Sequence, residues 1–180
     1  GSGDFNTAVG SYALGKVVDG SWNTVMGRSS GLDITSGKDN TLLGETAGIG
    51  ISTGDANVVV GRAAAFGFHG SRLVSGSGNT LLGFQSDVQN SDDYNSIVIG
   101  SGSLGNGSNT VVIGNDAITS TELKGDVVMS GSLSVHDNVT INEYTLEIES
   151  TTSSAAKTTG ALVVGGGIGV GGAITADFVQ

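Results

Sequence analysis

The sequence predicts an all-β protein, a repetitive β-roll or β-solenoid followed by a β-rich connector. Three observations favour this fold: a short motif recurs at nearly constant spacing, glycine is unusually frequent, and proline is absent. The chain has 32 glycines among 180 residues, whereas average usage is about 7%. Because proline cannot donate a hydrogen bond to a β-ladder, its absence suits a chain whose backbone is paired over most of its length.

The recurring motif is an asparagine, three or four residues that are mainly apolar or Thr, and a glycine. The seven copies begin at Asn6, Asn23, Asn40, Asn57, Asn79, Asn95 and Asn109. They end at Gly10, Gly27, Gly44, Gly61, Gly83, Gly100 and Gly114. Successive glycines are 17, 17, 17, 22, 17 and 14 residues apart. Residues 1–119 are therefore predicted to be a repeat region with coils of 14–17 residues and one of 22.

A repeat of this length is too short for a helical solenoid, whose units take about 33 residues or more. The density of glycine and β-branched residues also disfavours helix. Two strands of about five residues and two turns would fit one unit, so we predict seven stacked coils with a spacing of about 4.8 Å.

Each repeated residue type has a physical role in such a stack. Asparagines at one position of every coil can form a ladder of side-chain amides, each donating to one neighbour and accepting from another. Glycine adopts turn conformations and admits a close neighbour. A third column, three residues after each glycine, is always small. It contains Ala13, Ser30, Ala47, Ala64, Ser86, Ser103 and Ala117.

The coils are thin, which predicts association. Two apolar positions per strand bury little surface, and at about 25 cal/mol per Å² the gain is marginal against the entropy of ordering roughly 120 residues. We therefore predict an intertwined homotrimer whose rolls pack along the column of small residues.

The single longer step places extra residues between Gly61 and Gly83. This insertion is predicted to protrude as a candidate contact loop. Its distinctive residues are Phe66, Phe68, His69 and Arg72. Elsewhere, Phe5, Trp22 and Tyr94 each precede a repeat asparagine, and we expect them to stack along the coils, with sugar stacking as the functional alternative.

The repeat motif does not recur after residue 119. Residues 120–150 are predicted to be a strand-rich connector, because Leu133, Val135, Val139 and Ile141 follow the period of two of a half-buried strand. Residues 151–180 begin with the polar run TTSSAAKTTG and continue as a Gly-rich C-terminal β segment.

These motifs resemble two groups of fibrous proteins. NSIVIG and NTVVIG are similar to the repeat in heads of trimeric autotransporter adhesins, which are trimers of left-handed parallel β-rolls. FNTAVGSYAL and NTLLGETAG look more like repeats of bacteriophage tail-fibre proteins. GDVVMSGSLSVHDNVTINEYTLEI and TTSSAAKTTGALVVGGGIGVGGAITAD are also similar to phage-fibre segments. The resemblance transfers no catalytic residue, since these segments are shaft and connector in that family.

The resemblance implies a structural component of a homotrimeric phage tail fibre or virion appendage, extracellular, acting as shaft or connector in host-cell attachment. Its partners would be itself, other virion proteins, and a host surface glycan or protein. One alternative is the head of a bacterial trimeric surface adhesin, which would be followed by a coiled-coil stalk and a membrane anchor. Another is a β-solenoid enzyme that degrades polysaccharides, which would need paired carboxylates in a cleft.

Charge and motif spacing argue against other classes. A net charge of −10 disfavours nucleic acid and anionic membranes. Gly167, Gly169 and Gly172 formally match a dinucleotide fingerprint but leave no room for the helix that it requires. Asp92 and Asp93 lack the pattern of a calcium loop. We therefore expect no enzyme activity, no cofactor and no metal.

Overall fold

The structure is a computed structural model that describes residues 3–135. The chain divides into a unit of Gly1–Leu123 and a unit of Lys124–Gln180. In the second unit, residues 124–135 contain no strand, and their apolar side chains are exposed. Most of the predicted connector strands and the whole C-terminal segment 151–180 lie outside the described residues.

Seven short strands form one parallel sheet in chain order. They are β1 (Thr7–Val9), β2 (Thr24–Met26), β3 (Thr41–Leu43), β4 (Val58–Val60), β5 (Thr80–Leu82), β6 (Ile97–Ile99) and β7 (Val111–Ile113). Each strand pairs with the equivalent residues of the next repeat, as Leu42 does with Val59. The described residues contain no helix, and the coils complete about six turns. The predicted all-β solenoid is confirmed.

Each coil contains one strand of three residues, where the sequence predicted two of about five. The reason lies in the backbone after each repeat glycine. In the third coil, Thr46 and Gly48 both have φ of 56°, so left-handed residues alternate with others and interrupt a regular strand. The coils remain bonded here, because the N–H of Thr46 donates to Arg28 O and that of Gly48 to Ala64 O.

The interior is a narrow apolar column with three walls. The middle residue of each inner strand points inward, and a second wall comes from the turn before the next repeat. The buried residues of these two walls are Val25, Leu42, Val59, Leu81 and Val98, and Ile34, Ile51 and Leu73. Because the coil is only a few side chains wide, the third wall has room for small residues alone.

The five inner members of the Ala/Ser column form that third wall, whereas Ala13 is half-buried and Ala117 is exposed at its two ends; this corrects the predicted trimer packing. Ser30, Ala47, Ala64, Ser86 and Ser103 are fully buried within a single chain, so they cannot form a surface on which another chain packs. Their size reflects close approach inside the coil, and the hydroxyl of Ser30 donates to Ala47 O of the next coil at 3.0 Å.

The outward side of the sheet carries instead a row of apolar residues, here called the apolar stripe. It is formed by the last residue of each strand. Its members are Val9, Met26, Leu43, Val60, Leu82, Ile99 and Ile113. Neighbouring members are paired in register, as Met26 is with Leu43, and all seven are exposed or half-buried. One chain therefore leaves a continuous apolar surface along the whole solenoid.

The repeat glycines are required by geometry at the end of each strand. Gly44 has φ of 136°, and a Cβ there would lie 2.5 Å from Gly61 O. Gly10 has φ of 130°, and a Cβ would lie 2.6 Å from Gly27 O. Any larger residue would both strain the backbone and push the next coil away.

We predict that Gly44→Ala lowers the free energy of unfolding by at least about 3 kcal/mol, since it adds a backbone clash to an unfavourable φ. Gly78→Ala is the matched control, because Gly78 also has a positive φ, 67°, but its added Cβ would come no closer than 3.9 Å to Asn95 N. It should cost only about 1 kcal/mol. Urea denaturation of both variants measures the difference, and equal losses would contradict a role for close approach.

Candidate functional site

The asparagine ladder joins successive coils through their side chains. The Oδ1 of Asn23 accepts from the backbone N–H and from the Nδ2 of Asn40, both at 3.0 Å. The Oδ1 of Asn40 accepts in the same way from Asn57. The second hydrogen of Asn40 Nδ2 goes to Gly54 O at 2.9 Å. Each inner ladder amide is therefore bonded to the asparagines of the coils before and after it, and to a carbonyl in the turn that precedes the next asparagine.

Five of the predicted asparagines occupy this ladder. They are Asn6, Asn23, Asn40, Asn57 and Asn79. The last four of them are fully buried. The link from Asn57 to Asn79 is made at 3.0 Å although 22 residues separate them. The insertion therefore leaves the ladder intact, and the extra residues are displaced to the side of the stack.

Asn95 and Asn109 differ from the prediction, because they do not stand in the ladder. The last two copies have one extra residue, and strand register is set by the closing glycine. Ser96 consequently takes the ladder position, and its backbone N–H donates to Asn79 Oδ1 at 3.0 Å. Asn95 and Asn109 lie one residue earlier with φ of 52° and 60°. They form a separate exposed pair, in which Asn95 Nδ2 donates to Asn109 Oδ1 at 2.9 Å.

The candidate contact loop lies on the side of the coils and displays two phenylalanines. The rings of Phe66 and Phe68 stack with centroids 4.7 Å apart and planes inclined by 20°. Phe66 is half-buried, whereas Phe68 is 55% exposed. His69 is exposed, and its Nε2 lies near Gly102, which belongs to the second coil after its own. The structure thus brings Phe66, Phe68 and Arg72 into contact, whereas the His69 imidazole extends toward Gly102.

Asp87 holds this loop from beneath. Its side chain is fully buried, and its two oxygens accept from the backbone N–H groups of Gly67 and His69, each at 2.8 Å. Those two residues flank Phe68 in the chain. One buried carboxylate therefore fixes the backbone on both sides of the most exposed ring of the loop.

Sequence reasoning missed Asp87, although a signal was present. In the column four residues after each repeat glycine, Asp87 stands where other coils have Leu14, Gly31, Gly48 and Ala65. A lone carboxylate in a column of small or apolar residues indicates a special bonding partner, since a buried charge needs hydrogen bonds.

Arg72 ties the other end of the loop to earlier coils. Its guanidinium lies 5.1 Å from the centroid of the Phe66 ring and 3.7 Å from the carboxylate of Asp33. Its side-chain stem passes over Gly50, where an added Cβ would collide with Arg72 Cγ and Cδ. The loop is therefore held from both sides and forms a defined surface.

The other aromatic residues are only partly as predicted. Phe5 and Trp22 stack across neighbouring coils, with centroids 5.8 Å apart and planes inclined by 11°. Tyr94 is not in their column, because Asn95 follows the shifted register and occupies the position equivalent to Trp22 and Gly78. Within residues 3–135, the Tyr94 ring takes part in no aromatic stack.

The ionisable residues of the described region are mostly dispersed along the coils. Residues 3–135 contain no group of three or more His, Cys, Asp or Glu side chains placed to hold a metal ion. None of these residues belongs to a helix long and apolar enough to cross a membrane. What the geometry offers is a rigid stack, an exposed apolar stripe and one fixed aromatic loop.

We predict that Asn40→Ala destabilises the solenoid by about 3 kcal/mol, because it leaves the buried Gly54 carbonyl and Asn57 N–H without partners. Asn95→Ala removes the same side chain from the exposed pair and should cost less than about 1 kcal/mol. Thermal or urea unfolding of the two variants makes the comparison. If both variants lose the same small amount, the buried ladder does not hold the coils together.

Comparison of the chain with protein-family models, with curated proteins and with solved structures found no match. Its function therefore has to be inferred from the residues and geometry described above.

Proposed function

We propose that this chain is a structural part of a homotrimeric phage tail fibre or related virion appendage, in which it serves as shaft and connector during host-cell attachment. The observation that carries the proposal is the apolar stripe along one side of a rigid, regularly stacked rod. The resemblance of the early repeats and of the residues after 119 to phage-fibre segments supports the placement on a virion, and with it an extracellular location.

The rod is well suited to be a spacer. Six parallel strand pairings at about 4.8 Å each give a length on the order of 30 Å. Backbone hydrogen bonds connect every coil to the next, and the buried asparagines add side-chain bonds between coils. Such a stack resists bending, since bending would have to break bonds between coils.

The apolar stripe favours a second copy of this chain as its partner. It presents one apolar side chain per coil, at the spacing of the coils themselves. A partner that covers the full length must present apolar groups with the same period, and a parallel copy of the same solenoid does so. Exposed apolar surface of this extent is rare in monomers and marks an interaction surface.

The trimer proposed here therefore packs through Met26, Leu43 and their equivalents, rather than through the Ala/Ser column. Because the three stripes would meet along one axis, each side chain could contact its equivalents in the other two chains at the same level. Closed rotational symmetry of this kind is the usual arrangement of homo-oligomers.

We predict a solution mass close to three times the chain mass of 17.8 kDa, measured by light scattering. Leu43→Arg should reduce the mass to that of one chain, since it places a charge within the stripe, two residues from its end, and burying it there is costly. Thr53→Lys is the matched control, because Thr53 is exposed but lies in a turn away from the strands; it should leave the trimer unchanged.

A monomeric wild-type protein would overturn this proposal. So would a trimer that survives Leu43→Arg, because the chains would then have to associate through another surface. An appendage that attaches normally to host cells without this region would contradict its role as a shaft.

A further inference from the structure

We propose that the candidate contact loop, Phe66 to Arg72, is a carbohydrate-binding platform that takes the flat face of a neutral hexopyranose ring. The platform lies within one chain, so the proposal does not depend on the trimer. If the trimer forms, it would present three such platforms, and a polysaccharide would bind with the added strength of multiple contacts.

Exposed aromatic surface is the first observation. Phe68 is 55% exposed although its ring already stacks on Phe66 at 4.7 Å. Leaving apolar ring surface in water is unfavourable, and a ligand that covers the ring recovers that free energy. The electron-rich face of an aromatic ring attracts the weakly positive C–H groups that line one side of a pyranose.

Preorganisation is the second observation. The Asp87 carboxylate is fully buried, and it bonds the N–H groups of Gly67 and His69 on either side of Phe68. On the other side, Arg72 reaches Phe66 and Asp33. The solenoid does not need this insertion, since the ladder passes from Asn57 to Asn79 at normal distance. A loop fixed in this way binds without the cost of ordering its backbone.

The size and polarity of the surface favour a sugar over other ligands. Two stacked rings cover far less than the roughly 800 Å² that each partner of a stable protein complex usually buries. The chain has a net charge of −10, so a polyanionic ligand would be repelled. His69 follows Phe68 in the chain and is exposed, so its imidazole is the polar group nearest in sequence that could bond sugar hydroxyls, the usual companions of an apolar contact in a ligand site.

The test is an NMR titration of the whole chain with three neutral probes, cellohexaose, mannohexaose and a β-galactohexaose. At least one should bind and shift the ring signals of Phe66 and Phe68. Phe68→Leu keeps an apolar residue but removes the ring face, and it should weaken binding about tenfold or more. Tyr94→Ala is the matched control, because Tyr94 is 54% exposed and lies outside the loop; it should leave the affinity unchanged.

Asp87→Asn tests the preorganised backbone. The variant replaces one accepting oxygen by an NH₂ group that faces a backbone N–H, so the loop should loosen and the affinity should fall by about tenfold while both rings remain. Urea unfolding of Asp87→Asn and Phe68→Leu establishes that the solenoid is still folded. If Asp87→Asn proves to be unfolded, its loss of affinity says nothing about the loop. The affinity of folded Phe68→Leu then tests the proposal alone.

Three results would overturn the proposal: no binding of any neutral probe, unchanged affinity in folded Phe68→Leu, or loss of binding in Trp22→Ala while Phe68→Leu still binds. The last result would place the sugar on the Phe5–Trp22 stack. A fourth titration, with the polyanion hexagalacturonate, adds one more such result: tighter binding of it than of all neutral probes would overturn the proposal of a neutral ligand. The Leu43→Arg variant separates this proposal from the trimer, because a monomer should bind each sugar with the same affinity per chain.

Discussion

The structure depends on one constraint, that each buried side-chain amide of the ladder finds its partners only on the neighbouring coil. An asparagine amide has two donor hydrogens and an accepting oxygen, and Asn40 uses all of them on Asn23, Asn57 and Gly54. Water cannot replace these partners in the interior, so an unmatched amide is costly. Stacking the first five coils in any other register would leave these amides unpaired, so the ladder reinforces the parallel register that the closing glycines also require.

Other features of the chain follow once the coils are held in this register. Gly44 and its equivalents must be glycine because the next coil approaches too closely for a Cβ. Residues of equivalent position meet on the surface, so that Lys16 pairs with Asp33, and Arg28 with Glu45. These exposed ion pairs contribute at most about 1 kcal/mol each to the free energy of unfolding. The contacts in the interior therefore determine how the coils stack.

The sequence allowed much of this fold to be predicted, because residues that recur at constant spacing occupy equivalent positions in successive coils. Parallel coils, the glycine column and the displaced insertion all follow from spacing. Spacing did not show whether the side chains of the Ala/Ser column point into the coil or outward. Small residues such as Ala47 and Ala64 suit either the interior or a contact with another chain. Their burial in the structure shows that they face the interior. Asn95 was misplaced because every motif asparagine was assigned to the ladder, although the extra residue in the last two copies moves Asn95 one place further from the glycine that fixes the register.

The functional surfaces were harder to predict. In a strand of three residues such as Thr41–Leu43, two adjacent apolar residues do not reveal which one faces outward, so the apolar stripe became visible only from the structure. The insertion was recognised by its length and composition. The buried carboxylate of Asp87 that holds it was not, because its partners are backbone groups 20 and 18 residues away, which no side-chain motif encodes.

Hydrogen exchange of the ladder amides, followed by NMR, tests the central claim most directly. If the ladder couples the coils, the backbone N–H groups of Asn40, Asn57 and Asn79 should exchange only when the whole solenoid unfolds, at one common free energy. The exposed side-chain amide of Asn95 should exchange orders of magnitude faster. Exchange of Asn40 at a rate close to that of Asn95, or separate opening of individual coils at low free energy, would contradict the account.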